Sequence, residues 1–301
     1  MKECNICGAV YSEEDGGCPV CSGSVAVIPE GPTESPGKAR SFVKALLHTL
    51  LFRVIMYALM FVSIIVMAVI GGGMPDDVST DTGNVITVIS YLVFLAVISL
   101  IIAARGKNFL VETGLKRCSA AVAAVSALFG WTANYVYTLI VSLIPWPQSV
   151  LTAHNEAYGS LTESGNDIFL LILTVSVLTG IVEEIVFRGL VLRALTPAFS
   201  PVLSALISAL IFGLSHPSLI AVFYSALLGF VLGMLAHKYG SVLPCIAMHI
   251  AYNLAACVGY SEDGGVSFTV LLISIALHVI TFGTLFRNKK ALAVIKNEEI
   301  N

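Results

Sequence analysis

Two carboxylates stand side by side in an otherwise apolar run, Gly180-Ile-Val-Glu183-Glu184-Ile-Val-Phe-Arg188-Gly189. On a helix, neighbouring side chains point about 100° apart, so the two acids cannot share a partner, whereas Glu184 and Arg188 are four residues apart and face one way, in the favourable order for an ion pair. Glu183 is left without a counter-charge in its own helix, and a carboxyl of this kind at low dielectric is suited to general acid or base chemistry. Two further apolar runs carry histidines. One ends Phe212-Gly-Leu-Ser215-His216-Pro217, and the other contains Met248-His249-Ile-Ala-Tyr-Asn253, with His249 and Asn253 again on one helical face. An ionisable group inside the membrane points to function by default, because burying it is costly unless it is paired.

The elements that must hold these groups follow from composition. The chain has 301 residues, 57% of them hydrophobic and only 12% charged, with a net charge of −3. That balance excludes an ordinary soluble enzyme, a disordered chain and a basic nucleic-acid binder. The fold class expected is an all-α polytopic membrane protein, because in hydrocarbon a helix satisfies its own backbone. About eight transmembrane helices are expected: Ala45–Ile70, Val85–Ala104, Ser119–Ile144, Ile168–Leu195, Pro201–Ser215, Leu219–Ala236, Ser241–Val258 and Ser267–Phe286. The fifth is too short to cross the roughly 30 Å of hydrocarbon, and Pro217 forces its end. With a rise of about 1.5 Å per residue, Glu183, Asn253, His249 and His216 lie roughly 18, 18, 12 and 22 Å from the same side, one layer near mid-membrane. His278 is at a similar depth but lacks a partner at helical spacing, and His154 falls in an outer loop.

The 16 Lys and Arg fall on one side of this arrangement or within helices near it, clustering at Lys38, Arg40 and Lys44, at Arg105 to Arg117, at Lys238 and at Arg287 to Lys296. The opposite loops carry Asp76, Asp77, Asp81, Glu156, Glu163, Asp167, Glu262 and Asp263. The positive-inside rule therefore places both termini in the cytoplasm of a multi-pass cell-membrane protein.

At the N-terminus, Cys4-x-x-Cys7 and Cys18-x-x-Cys21 form two knuckles. Four thiolates can close a tetrahedral structural Zn2+ site, and a segment this short gains its folding energy from metal. Paired disulfides are disfavoured on the cytoplasmic side. The expected organisation is a zinc ribbon over 1–22, a flexible Ser-, Gly-, Pro- and Glu-rich linker over 23–44, the membrane domain over 45–287 with its motif core at 165–258, and a cytoplasmic tail over 288–301. Cys118, Cys245 and Cys257, in or near spans, read as small apolar residues.

The ordered set Glu183-Glu184-x-x-x-Arg188, Phe212-x-x-x-His216 and His249-x-x-x-Asn253 resembles the signature of the CPBP intramembrane proteases. That family includes the type II CAAX prenyl endopeptidases and bacteriocin-processing or self-immunity proteins. The resemblance is close over roughly 165–258 and generic in the first three spans. It implies proteolysis within the membrane of a membrane-associated peptide or protein, such as a prenylated CAAX-type C-terminus or a leader peptide. Glu183 would activate water with help from His216. His249 and Asn253 would polarise the scissile carbonyl and stabilise its oxyanion, and Glu184 and Arg188 would orient the site. An older reading of the family makes Glu and His ligands of a catalytic Zn2+, a known donor set; the HExxH arrangement is absent, and the sequence leaves both a metal-free and a zinc mechanism open. The N-terminal segment resembles the zinc ribbons found at the ends of many prokaryotic membrane proteins, which implies a docking or structural role toward a protein partner. The competing readings are an ion- or proton-coupled transporter, in which Glu, Arg and His relay charge, and a non-catalytic immunity or scaffold protein. Replacing Cys4 and Cys7 together by Ser is expected to release about one zinc per chain while the membrane domain stays folded; metal analysis of purified protein checks this, and an unchanged zinc content would remove the assignment.

Overall fold

The computed structural model describes residues 37–71, 79–159, 167–258 and 267–287, together with two short strands near the N-terminus. The chain divides into two units, residues 1–36 and 37–301. In the first, β1 (Lys2–Glu3) and β2 (Val10–Tyr11) pair antiparallel, with Lys2 opposite Tyr11. Cys4 and Cys7 fall between the two strands in sequence; all four zinc-ribbon cysteines, Cys4, Cys7, Cys18 and Cys21, lie outside the described residues, as does the tail over 288–301.

The regular secondary structure among the described residues of the second unit is all helical. Its helices are α1 (Lys38–Gly71), α2 (Thr80–Ala104), the one-turn α3 (Phe109–Glu112), α4 (Ala120–Ser142), α5 (Gln148–Tyr158), α6 (Ile168–Leu195), α7 (Pro201–Leu214), α8 (Leu219–Tyr239), α9 (Leu243–Val258) and α10 (Phe268–Phe286). Six of them are long and apolar enough to cross a membrane, while α7 and α9 are apolar but shorter. The eight expected spans thus correspond to eight apolar helices, of which six have spanning length. Two boundaries differ from expectation. α1 starts at Lys38, inside the stretch read as linker, because no Gly or Pro follows Gly37 to interrupt the helix. The polar segment around His154, read as loop, folds as α5 behind Pro147.

Helix starts are written locally. Ser79, Ser119, Ser200, Ser218 and Ser267 each accept a hydrogen bond from the backbone N–H three residues on, and Asp167 accepts from the N–H groups of Phe169 and Leu170. These bonds satisfy donors that a helix leaves orphaned at its first turn. Gly240 ends α8 in the left-handed conformation (φ 61°).

The distribution of polarity is the reverse of a soluble protein's. Leu47, Leu50, Val54, Phe61, Leu92, Leu100, Phe169, Leu214 and Val279 are exposed, whereas Ser126, Ser176, Ser204, Ser208, Ser225, Glu184, Arg188 and His249 are buried. An apolar exterior of this extent requires an apolar solvent, and the chain is an integral, multi-pass membrane protein. Inside, two clusters form. One joins Phe52, Phe94, Phe187 and Phe212 from α1, α2, α6 and α7; the other joins Phe129, Tyr137, Leu228, Met248, Tyr252 and Leu285 from α4, α8, α9 and α10.

α9 is held against two neighbours through glycines. A Cβ on Gly130 of α4 would fall onto the Met248 carbonyl oxygen, and one on Gly180 of α6 would stand 2.8 Å from Ile250 Cγ1 and 3.1 Å from its backbone nitrogen. Small residues permit such close backbone approach, the main route to packing between helices in lipid. Gly130→Ala is expected to destabilise the protein by about 1–3 kcal/mol, whereas Gly283→Ala, where a Cβ meets nothing within 4 Å, is expected to be neutral or to stabilise by up to about 1 kcal/mol. Thermal unfolding of both variants in detergent makes the comparison.

Candidate active site

α6 is not a uniform α-helix. Residues Ile172–Leu178 and Ile185–Leu192 are wound as π-helix, and the α-helical turn between them, Thr179–Glu184, ends on the two carboxylates. π stretches recur at functional sites, where the looser winding re-aims side chains and backbone groups. In each stretch here, a carbonyl is taken by a side chain of a neighbouring helix. Asn253 Nδ2 donates to Val175 O at 2.9 Å, and Ser208 Oγ donates to Phe187 O at 3.1 Å. Ser176 Oγ adds a bond to Ile250 O at 2.8 Å, tying α6 to α9 beside the site.

Glu184 is fully buried and anchors the centre. Its Oε1 accepts from Arg188 Nη1 at 2.6 Å and from His249 Nδ1 at 2.8 Å. The first bond is the i,i+4 pair expected from the sequence. The second, from α9, was not expected, since nothing in the sequence pairs residues from distant spans. Arg188 spends its remaining reach on the same region: Nη2 donates to Gly229 O at 3.0 Å, and the guanidinium lies 4.7 Å from the Phe212 ring centroid. Gly229 makes room for it, because a Cβ there would stand 3.2 Å from Arg188 Nη2 and 3.0 Å from Phe212 Cδ1. Phe212 also meets His216 and His249 edge-on, at 4.9 Å and 5.8 Å between centroids.

Both acids meet the His249 ring, one at each nitrogen, so the expectation that they share no partner does not hold, but Glu183 does so only at ion-pair distance. Glu183 keeps its carboxylate free of hydrogen bonds among the described residues, and its Oε2 lies 3.9 Å from His249 Nε2. Glu183, His216, His249 and Asn253 line one cavity of about 560 Å³. His216 Nδ1 donates to Phe212 O at 3.0 Å, since a carbonyl can only accept. By the same reasoning, His249 Nδ1 donates to the Glu184 carboxylate. Each ring therefore presents Nε2 as its remaining nitrogen. In the neutral form that atom is an acceptor; His249 can donate from it only when the ring carries both protons. The cavity wall also holds Arg53, Asn84, Tyr158 and His154, none of which was singled out from the sequence as a site residue. His154, expected in an outer loop, shares a 2.8 Å hydrogen bond with Ser218 Oγ, the residue that caps α8. Arg53 had a visible signal: it is the basic residue inside the apolar stretch of α1.

His278 does not line this cavity. It stacks on Phe129 with centroids 4.1 Å apart and shares a 3.2 Å hydrogen bond with Thr132 Oγ1, which is the arrangement of a satisfied core histidine. Among the described residues no three His, Cys, Asp or Glu side chains converge as a metal-binding group.

The fold and the site define a polytopic membrane protein with a buried carboxylate–histidine centre in a mid-bundle cavity. Residues 165–255 match the family model of the type II CAAX prenyl endopeptidases, Rce1-like, and the chain is similar to that family over this segment. The segment contains Glu183, Glu184, Arg188, His216, His249 and Asn253. No curated protein and no solved structure matches the chain.

Glu184→Gln leaves Arg188 buried beside a neutral partner and is expected to lower stability by about 3–5 kcal/mol, the loss typical when one member of a buried pair is removed. Chemical unfolding in detergent, with Glu183→Gln as the comparison at the cavity wall, checks this; equal stability of the two variants would contradict the anchoring role.

Proposed function

We infer that the chain is an intramembrane endopeptidase that hydrolyses a peptide bond of a membrane-associated substrate with a water activated by Glu183. The observation that carries this reading is the division of labour between adjacent acids: Glu184 Oε1 is taken by Arg188 and His249, while Glu183 faces the cavity with its oxygens free of hydrogen bonds among the described residues. The match of residues 165–255 to an endopeptidase family supports it independently.

In this mechanism a water donates one proton toward Glu183 and is steadied by the His216 Nε2 lone pair. Attack on the scissile carbonyl forms a C–O bond as Glu183 takes the proton. The oxyanion is received by His249 Nε2–H, with the ring doubly protonated beside the Glu184 carboxylate, and by the second N–H of Asn253, whose first is spent on Val175 O. Glu183 then returns the proton to the leaving amine as the C–N bond breaks. Arg188 holds Glu184, and through it His249, at fixed geometry. Prenylated CAAX-type C-termini and leader peptides are the substrate classes proposed. The four N-terminal cysteines are proposed to hold a structural zinc that docks a protein partner, with both termini in the cytoplasm of the cell membrane.

Glu183→Gln keeps shape and hydrogen-bonding capacity and removes the base. It is expected to cut turnover by about 10²–10⁴-fold while insertion and unfolding stay near wild type. A proteomic comparison of cells carrying wild-type and Glu183→Gln protein would find peptides left uncut only in the mutant; full activity in Glu183→Gln would falsify the catalytic assignment.

A further inference from the structure

One charge in the cavity is not used by the chemistry above. Arg53 lies within α1, flanked by Phe52 and Val54, and lines the same cavity as Glu183, His216 and His249. Its Nη2 donates to the Ser215 carbonyl oxygen at the end of α7, and its guanidinium lies 5.5 Å from the Phe52 ring centroid. Among the described residues no carboxylate stands within ion-pair distance of it; the acidic partners in the pairs found there are Glu112, Glu183 and Glu184, and their partners are Lys107, Arg188 and His249.

Tying down the end of α7 accounts for a single N–H. A guanidinium offers five in a rigid planar fork that matches a carboxylate bidentately. A neutral donor could serve the α7 carbonyl, whereas a permanent cation at membrane depth is costly unless it meets negative charge. The acid lining the same cavity, Glu183, does not pair with it; its ion-pair contact is to His249. The cavity is therefore polarised, with a carboxylate and a guanidinium that share one space without neutralising each other by contact.

We propose that Arg53 is the carboxylate receptor of this cavity, binding an anionic group of the substrate and so setting which peptide bond reaches Glu183. The proposal rests on the endopeptidase reading and extends the site to α1, outside the segment matched by the family model. The carboxylate is a chain terminus or an acidic side chain; the chemistry of the contact is the same.

The test uses the full chain in lipid nanodiscs and three probes: a dansylated, S-farnesylated peptide ending Cys-Val-Ile-Met as the free acid, the same peptide as its C-terminal amide, and an amide with Asp in the last position. Cleavage is followed by mass spectrometry, and binding by dansyl fluorescence on the Glu183→Gln protein. The plain amide is expected to bind, and to show KM, about 10- to 100-fold more weakly than the free acid, with kcat little changed. Arg53→Gln should erase that preference and Arg53→Lys should keep part of it, since the charge remains but the fork is lost. Recovery of binding by the Asp amide assigns the site to any carboxylate; no recovery assigns it to the chain terminus. The acid–amide comparison on protein with native Arg53 needs no variant at that position, so poor folding of Arg53→Gln leaves it readable. Equal binding of all three probes, or an acid preference that survives in Arg53→Gln, overturns the proposal. Binding that depends on Arg53 without any cleavage would instead remove the endopeptidase reading and leave the carboxylate site standing.

Discussion

The arrangement depends on the carboxylate of Glu184, buried with its Oε1 shared between Arg188 and His249. A lone charge at this depth would cost several kcal/mol, so each member of the trio is tenable only because the others are present. The bond to Arg188 is local to α6, while the bond to His249 crosses to α9. The anion is therefore a joint between two helices as well as an ion pair, and it fixes the imidazole with Nδ1 committed and Nε2 turned to the cavity. Glu183, one residue earlier, can remain uncommitted because its neighbour carries the structural burden.

The packing around this joint follows from what lipid allows. Without water to drive apolar surfaces together, helices associate by close approach and by polar contacts. Gly130 and Gly180 bring α4 and α6 against the backbone of α9, immediately beside His249, and Gly229 opens the gap through which Arg188 reaches a carbonyl of α8. Phe212 then closes the centre from α7, touching Arg188, His216 and His249 with one ring. The polar site is walled by aromatic side chains, which keeps the local dielectric low and strengthens the bonds inside it.

Much of this was legible in the sequence, and the remainder was hidden for identifiable reasons. Spans announced themselves by long apolar runs, and Glu184–Arg188 and His249–Asn253 could be paired by helical spacing because each pair lies within one helix. The bond from His249 to Glu184 joins residues 65 apart in the chain, which no local period encodes. His154 was hidden because the segment carrying it is polar enough to read as loop, yet it packs onto Ser218 once α5 forms. His278 had the depth of the site but a stacking partner, Phe129, on its own side of the bundle. Arg53 stood out as a cation in an apolar run, but its place on the cavity wall depends on how α1 meets α7.

The winding of α6 has one further consequence. An α-helix advances 100° per residue, and a π stretch absorbs roughly one surplus residue per turn without displacing the helix ends. With such a stretch on either side, the Thr179–Glu184 turn is a segment whose rotational phase is set by two reservoirs of slack. Single-residue insertions or deletions within 172–178 and 185–192 can accordingly offset each other in helix length while swinging the acidic pair around the axis.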